Sequence, residues 1–117
     1  GNLSIQNSSI LIAGPIRLNA YAYPNPAVEF VNIRYDLNRP ASSIAIKLYD
    51  VAGRRVFSID SSTDLDLSGN LGRNIYRLRL VREDGVSLSN GTYLCQISVK
   101  DAQSRLDKKH LKIVILR

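Results

Sequence analysis

An all-β fold, a two-sheet antiparallel sandwich of about seven strands, is what this sequence predicts, and three observations carry it. Runs of alternating apolar and polar residues recur at short intervals from residue 18 onward. Between them lie clusters of Gly, Pro, Asn and Asp. No segment of helical length carries a 3.6-residue apolar period. At 117 residues the chain is one domain by length, able to bury roughly two thirds of its unfolded surface without disulfide or metal.

Residues 1–16 are small and polar around one apolar stretch, residues 10–13, closed by Gly14-Pro15. They read as a linker or the end of a preceding domain, and the sandwich occupies residues 17–117. Strand signals follow at 18–23, 30–37, 44–50, 55–59, 75–81, 92–100 and 106–116. Alternation assigns faces: Val31, Ile33, Tyr35 and Leu37 share one parity, Ile44, Ile46 and Leu48 another, and these sets should meet in one core. In the last strand Leu111, Ile113 and Ile115 continue the pattern, yet Val114 and Leu116 are apolar on the opposite face. That end is buried on both sides or awaits a partner.

The connections are equally specific. Pro24-Asn25-Pro26 lacks two backbone donors and restrains the residue before each proline, so it is a rigid corner rather than helix or central strand. Tyr49-Asp50-Val51-Ala52-Gly53-Arg54 reads as a hairpin turn with Gly53 at positive φ. Glu83-Asp84-Gly85 and Ser89-Asn90-Gly91 mark two more turns, and Asp101 to Ser104 joins the last two strands. Seven such strands with this punctuation are the signature of a β-sandwich.

Composition limits the chemistry. The net charge is +6, and +4 of it falls in residues 100–117, where Lys100, Arg105, Lys108, Lys109, Lys112 and Arg117 face only Asp101 and Asp107. Such a strand is either lysine-protected against aggregation or a docking surface for an acidic partner. Nucleic acid is not expected, because no recognition helix, ribonucleoprotein aromatic signature or zinc spacing accompanies the charge. Stable membrane insertion is not expected either, since no apolar run approaches the ~20 residues a spanning helix needs. The single cysteine, Cys95, shares parity with Tyr93, Ile97 and Val99 and reads as an inert core thiol. His110 lies between Lys108 and Lys112 on a basic surface strand without a carboxylate partner, so no catalytic residue is expected. Asp64-Leu65-Asp66-Leu67-Ser68-Gly69-Asn70 copies the first half of a calcium loop, but Ile75 stands where the bidentate glutamate belongs. The better reading is a short strand with Leu65 and Leu67 inward; no metal and no cofactor are implied.

The ordered set of motifs points further. Tyr23-Pro24-Asn25-Pro26, Ile33-Arg34-Tyr35, Leu48-Tyr49-Asp50-Val51-Ala52-Gly53-Arg54, Asp84-Gly85 with Asn90-Gly91-Thr92-Tyr93, and the run Lys112-Ile113-Val114-Ile115-Leu116-Arg117 together resemble the C-terminal sorting domain of type IX secretion substrates, in the form similar to the Ig-like domain of flagellar hook-capping proteins. The chain departs from that form at Arg79-Leu80-Val81, where a Trp-Asp-Gly is usual. The resemblance implies a non-catalytic module at the end of a larger exported protein, secreted or displayed on the surface of a Gram-negative bacterium. Its implied partners are an outer-membrane secretion translocon and a sortase-like peptidase. The absence of methionine, Gly1 included, fits an excised piece of such a protein. The last strand, which closes a hairpin and carries surplus basic and apolar side chains, is the expected partner-binding element: Lys108, Lys109, Lys112 and Arg117 for charge, Val114 and Leu116 for contact. The alternative is a structural or carbohydrate-binding Ig-like accessory domain, for which Tyr21, Tyr23, Tyr49 and Tyr76 are the candidate stacking residues.

Overall fold

The computed structural model describes residues 14–117. Seven antiparallel strands form two sheets: β1 (Leu18–Tyr23), β2 (Phe30–Leu37) and β5 (Gly72–Arg79) in the order β1-β2-β5, and β3 (Ser43–Tyr49), β4 (Arg55–Asp60), β6 (Gly91–Lys100) and β7 (Leu106–Ile115) in the order β4-β3-β6-β7. The expected sandwich is therefore the observed fold, and strand ends differ from expectation by three residues or fewer. The largest difference is β5, which begins at Gly72 because Arg73 and Asn74 register with Asp36 and Tyr35 of β2.

Alternation decides which side chains meet. Val31, Ile33 and Tyr35 of β2, Ile46 and Leu48 of β3, and Cys95, Ile97 and Ile113 of the β6–β7 hairpin are all fully buried between the sheets. Packing begins at Ile16, buried one residue before the expected boundary at Arg17. Residues 10–13 lie outside the described residues.

The segment between β4 and β5 corrects one expectation. Residues 64–67 form turns rather than a strand; Leu67 is buried but Leu65 is 91% exposed. Local hydrogen bonds explain it, because the Asp64 Oδ1 accepts from the Asp66 amide at 2.9 Å and the Leu67 amide donates to the Asp64 carbonyl at 3.2 Å. Those bonds close a turn that breaks two-residue periodicity. The Tyr35 hydroxyl, in the core, then anchors the segment by donating to the Ser68 carbonyl. Gly69 is required by proximity: a β-carbon there would lie 2.5 Å from the Ala41 carbonyl oxygen.

Three connections use one five-residue turn. In Asp50–Arg54, Arg82–Val86 and Asp101–Arg105 the first amide donates to the fifth carbonyl and the fourth amide donates back to the first carbonyl, at 2.7 to 3.0 Å. The fourth residue is at positive φ in each: Gly53 at 81°, Gly85 at 86° and Ser104 at 64°. This is the three-residue hairpin loop in which a type I turn is followed by a left-handed residue. In the first and third, the leading aspartate accepts two amides of its own turn and the arginine Nε at 3.0 Å or less.

Gly53→Ala meets no steric obstacle, so its cost is conformational alone, about 1 kcal/mol in urea unfolding. Ser104→Gly should leave stability within about 0.5 kcal/mol, since relief of the left-handed serine is offset by the freedom glycine gains when unfolded. Equal losses for both substitutions would contradict the shared turn geometry.

Candidate recognition pole

The six residues singled out from the sequence do not share one face of the domain. Lys108, Lys112 and Val114 lie on the outer face of the β6–β7 hairpin, opposite Ser98, Leu94 and Thr92. Leu116 follows at the same parity, 61% exposed. Lys109 has the opposite parity, opposite buried Ile97, and is exposed at the side of the sandwich. Arg117 is held: its amide donates to Asn90 Oδ1 at 3.1 Å and its guanidinium donates to the Leu88 carbonyl.

The far edge of β7 is occupied. Ala27 forms a parallel bridge with Ile115, its amide donating to the Val114 carbonyl at 2.7 Å and its carbonyl accepting from the Leu116 amide at 3.0 Å. Asn25 extends the contact: its side-chain amide donates to the Lys112 carbonyl at 2.8 Å and its Oδ1 accepts from the Val114 amide at 2.9 Å. Pro24 and Pro26 on either side of Asn25 follow cis peptide bonds. Val114 is half-buried as a result, so its apolar character is partly explained within the chain. A strand cannot be added to β7 between Lys112 and Leu116 without displacing this segment, and side-chain docking is the mode left there.

The registers bring four of the five sequence motifs together. Tyr23 pairs with Asn32, Phe30 with Arg79, Tyr49 with Arg55 and Leu94, and Gly91 with Ile115. The Pro24-Asn25-Pro26 corner, the Asp50–Arg54 turn, the 82–93 segment and residues 112–117 therefore share one pole. A groove of about 740 Å³ opens there between the Asp50–Arg54 turn, Arg82 to Asp84 and Ser87 to Tyr93. Residues 14–17 sit at the other pole, where Arg39 donates to the Gly14 carbonyl at 2.6 Å and the Arg17 amide to Asn38 Oδ1 at 2.6 Å. The two poles are separated by the ten residues of β7, roughly 33 Å.

The groups with reactive or titratable side chains are engaged otherwise. Burial pushes the Cys95 thiol up to about 12. His110 is exposed, its Nε2 3.2 Å from the Gln96 amide nitrogen. Asp64 Oδ2 accepts from the Tyr76 hydroxyl at 2.7 Å, and among the described residues no three acid, His or Cys side chains gather as metal ligands. Tyr76, expected among the candidate stacking residues, is instead buried, because its parity places it inward with Leu78. Burial and the Asp64 carboxylate both raise its hydroxyl above the usual range.

A surface that sequence reasoning missed lies on the outer face of β1-β2-β5. Cross-strand rows there join Tyr21 to Arg34 and Ile75, Tyr23 to Asn32 and Arg77, and Phe30 to Arg79. The Arg77 guanidinium lies over the Phe30 ring at 3.9 Å, and Arg34 over Tyr21 at 5.5 Å. The signal available was Arg73-x-Ile75-x-Arg77-x-Arg79, an alternating basic row within one strand.

The family model described as the secretion system C-terminal sorting domain matches residues 21–115. Among solved structures, the dimeric latent PorU of Porphyromonas gingivalis is similar at 26% identity with a TM-score of 0.64, over 88% of this chain and 10% of that one. The chitinase ChiW of Paenibacillus sp. str. FPU-7, a bacterial cell-surface-expressed multi-modular enzyme, shares the fold at 13% identity and a TM-score of 0.62, over 100% of this chain and 9% of that one. The chain thus spans about a tenth of the length of either protein. No curated protein matches it in sequence.

Two measurements check the pole. Asn25→Ala should cost about 1–2 kcal/mol and turn the Val114 amide into a fast-exchanging one, while Cys95 and Ile97 amides stay protected. Alkaline titration should lower stability from about pH 9 upward, where the unfolded thiol ionises and the folded one does not, so the unfolded state binds fewer protons. Cys95→Ala should remove that part of the slope, and an unchanged slope would place the thiol in water.

Proposed function

We propose a targeting role on one premise: this chain belongs to the family of secretion system C-terminal sorting domains. It is accordingly part of a secreted or cell-surface protein of a Gram-negative bacterium that uses type IX secretion. In our reading the domain is a non-catalytic address on a larger exported cargo. An outer-membrane translocon reads it, and a sortase-like peptidase acts after passage.

The observation that carries this reading is the separation of the two poles. Residues 14–17 lie at the end of the domain that faces the cargo, while four of the five family motifs gather at the other and Ile33-Arg34-Tyr35 lies mid-strand in β2. Machinery can therefore grip the motif pole without contacting the cargo. Lys108 and Lys112 supply the charge on the outer face of the hairpin, Val114 and Leu116 the apolar contact near the groove, and Lys109 a second cation at the side. Arg117 serves chiefly by holding the last residues against the Leu88–Asn90 turn. Cleavage belongs in or before residues 1–16, because a cut within the sandwich requires opening a strand and exposing its paired backbone groups.

Point substitutions test the reading better than truncation, since removing residues 111–117 also removes Ile113 and Ile115 from the core. In a full-length cargo, Lys108→Gln with Lys112→Gln and Leu116→Asn changes only exposed side chains. Surface delivery, measured by protease accessibility on intact cells, should fall at least fivefold, with folded cargo retained in the periplasm. Lys100→Gln, exposed at the opposite end of β6, should leave delivery unchanged. Normal delivery of the triple variant would refute the assignment of these residues.

A further inference from the structure

We propose that the open edge of β5 is a second binding element, which takes an extended acidic polypeptide segment as an added strand. Three properties of this edge point to that partner.

The first is hydrogen-bond orientation. The Leu80 amide donates to the Glu29 carbonyl at 3.0 Å, so even-numbered residues of β5 bond to β2. The odd-numbered residues, Arg73, Ile75 and Arg77, direct their amides and carbonyls away from the sheet. β5 ends the three-stranded sheet, and among the described residues no partner reaches those groups. The edge of β7 is different, being occupied by Asn25 and Ala27.

The second is charge. Arg73, Arg77 and Arg79 are exposed on the same face of β5, and none has a carboxylate within ion-pair distance among the described residues. The carboxylate nearest in register, Asp36 opposite Arg73, is paired with Arg34 at 3.3 Å. Side chains two residues apart on a strand are separated by roughly 6.6–6.8 Å. An added strand with carboxylates at alternate positions meets this spacing residue by residue.

The third is the apolar point within the row. Ile75 is 49% exposed between Arg73 and Arg77. An antiparallel segment of the pattern acid-x-acid-x-apolar-x-acid would place carboxylates opposite Arg79, Arg77 and Arg73 and its apolar residue opposite Ile75. Main-chain bonds would supply affinity and the alternate side chains selectivity. Arginine suits this role because its planar fork binds a carboxylate through two parallel donors.

The test uses the whole chain and an acetylated, amidated peptide, Thr-Glu-Thr-Glu-Thr-Val-Thr-Glu-Thr, with binding followed by isothermal titration calorimetry and by amide chemical shifts. Saturable binding is expected, with the largest shifts at Arg73, Ile75 and Arg77. The double substitution Arg73→Gln with Arg77→Gln should weaken it at least tenfold while the circular dichroism spectrum is retained. N-methylating the peptide amides that face β5, which leaves its charge intact, should abolish binding, as should replacing each Glu with Lys. The Lys108→Gln and Lys112→Gln pair should bind normally, which separates this edge from the hairpin face proposed for targeting. Absence of binding at millimolar peptide, equal binding of the N-methylated peptide, or loss of binding in the lysine variant would each overturn the proposal.

Discussion

The contact between the Pro24-Asn25-Pro26 corner and the last strand governs the rest of the structure. Two backbone bonds from Ala27 and two side-chain bonds from Asn25 tie the β1–β2 connection of one sheet to β7 of the other. Without it the β1–β7 side would, among the described residues, be tied directly only by the Leu18–Asp107 bond at the far pole. With it, the β1/β7 side of the sandwich is closed at its motif pole. At the opposite pole Asp107 takes a related part, its Oδ2 accepting from the Leu18 amide at 2.8 Å and its Oδ1 from the Lys108 amide at 2.9 Å. A single carboxylate thus serves one edge amide of β1 and one of β7 in place of a continuous ladder, which also blunts both edges against unwanted pairing.

Closure on one side leaves the molecule asymmetric. The β7 edge has its backbone groups engaged over most of its C-terminal half and displays lysines on the adjoining face. Among the described residues, the β5 edge from Arg73 to Arg77 keeps its backbone groups unengaged and displays arginines. Two basic surfaces therefore differ in what they can recognise: one offers compact ammonium charges around an apolar end, the other a planar donor row beside a backbone ladder. A net charge of +6 conceals that difference.

Much of the architecture was legible in the residues because two-residue alternation is a direct record of which side faces the core. Val31, Ile33 and Tyr35, Ile46 and Leu48, and Cys95 and Ile97 could be placed inward from parity alone. Gly53 could be assigned a positive φ because the turn around it has few solutions, and the same logic extends to Ser104 only once the Asp101 and Arg105 bonds are visible. What could not be read depends on pairing between distant segments. Val114 looked like a residue awaiting a partner, and part of that partner is Asn25 and Ala27, nearly ninety positions away. Arg34, Arg73, Arg77 and Arg79 become one surface only through the β2–β5 register. Leu65 faces outward because side-chain capping by Asp64 overrides alternation, a competition that periodicity does not record. The residues expected to bind lie on β7 or just beyond it but are divided in space: Lys109 and Arg117 have the wrong parity, or too firm a hold, to join Lys112 and Leu116.

The parallel course of β1 and β7 also has a mechanical meaning. The chain approaches β1 at one pole and completes β7 at the other, and the two strands lie side by side, linked at Leu18–Asp107, Asn25–Lys112, Asn25–Val114, Val114–Ala27 and Ala27–Leu116. Traction between the two poles runs along both strands, so it loads these bonds together in shear and not one after another as in peeling. Rupture then requires them to fail as a group, and the rate of forced unfolding is set by that collective barrier. A tether of this build transmits tension along its length before it gives way.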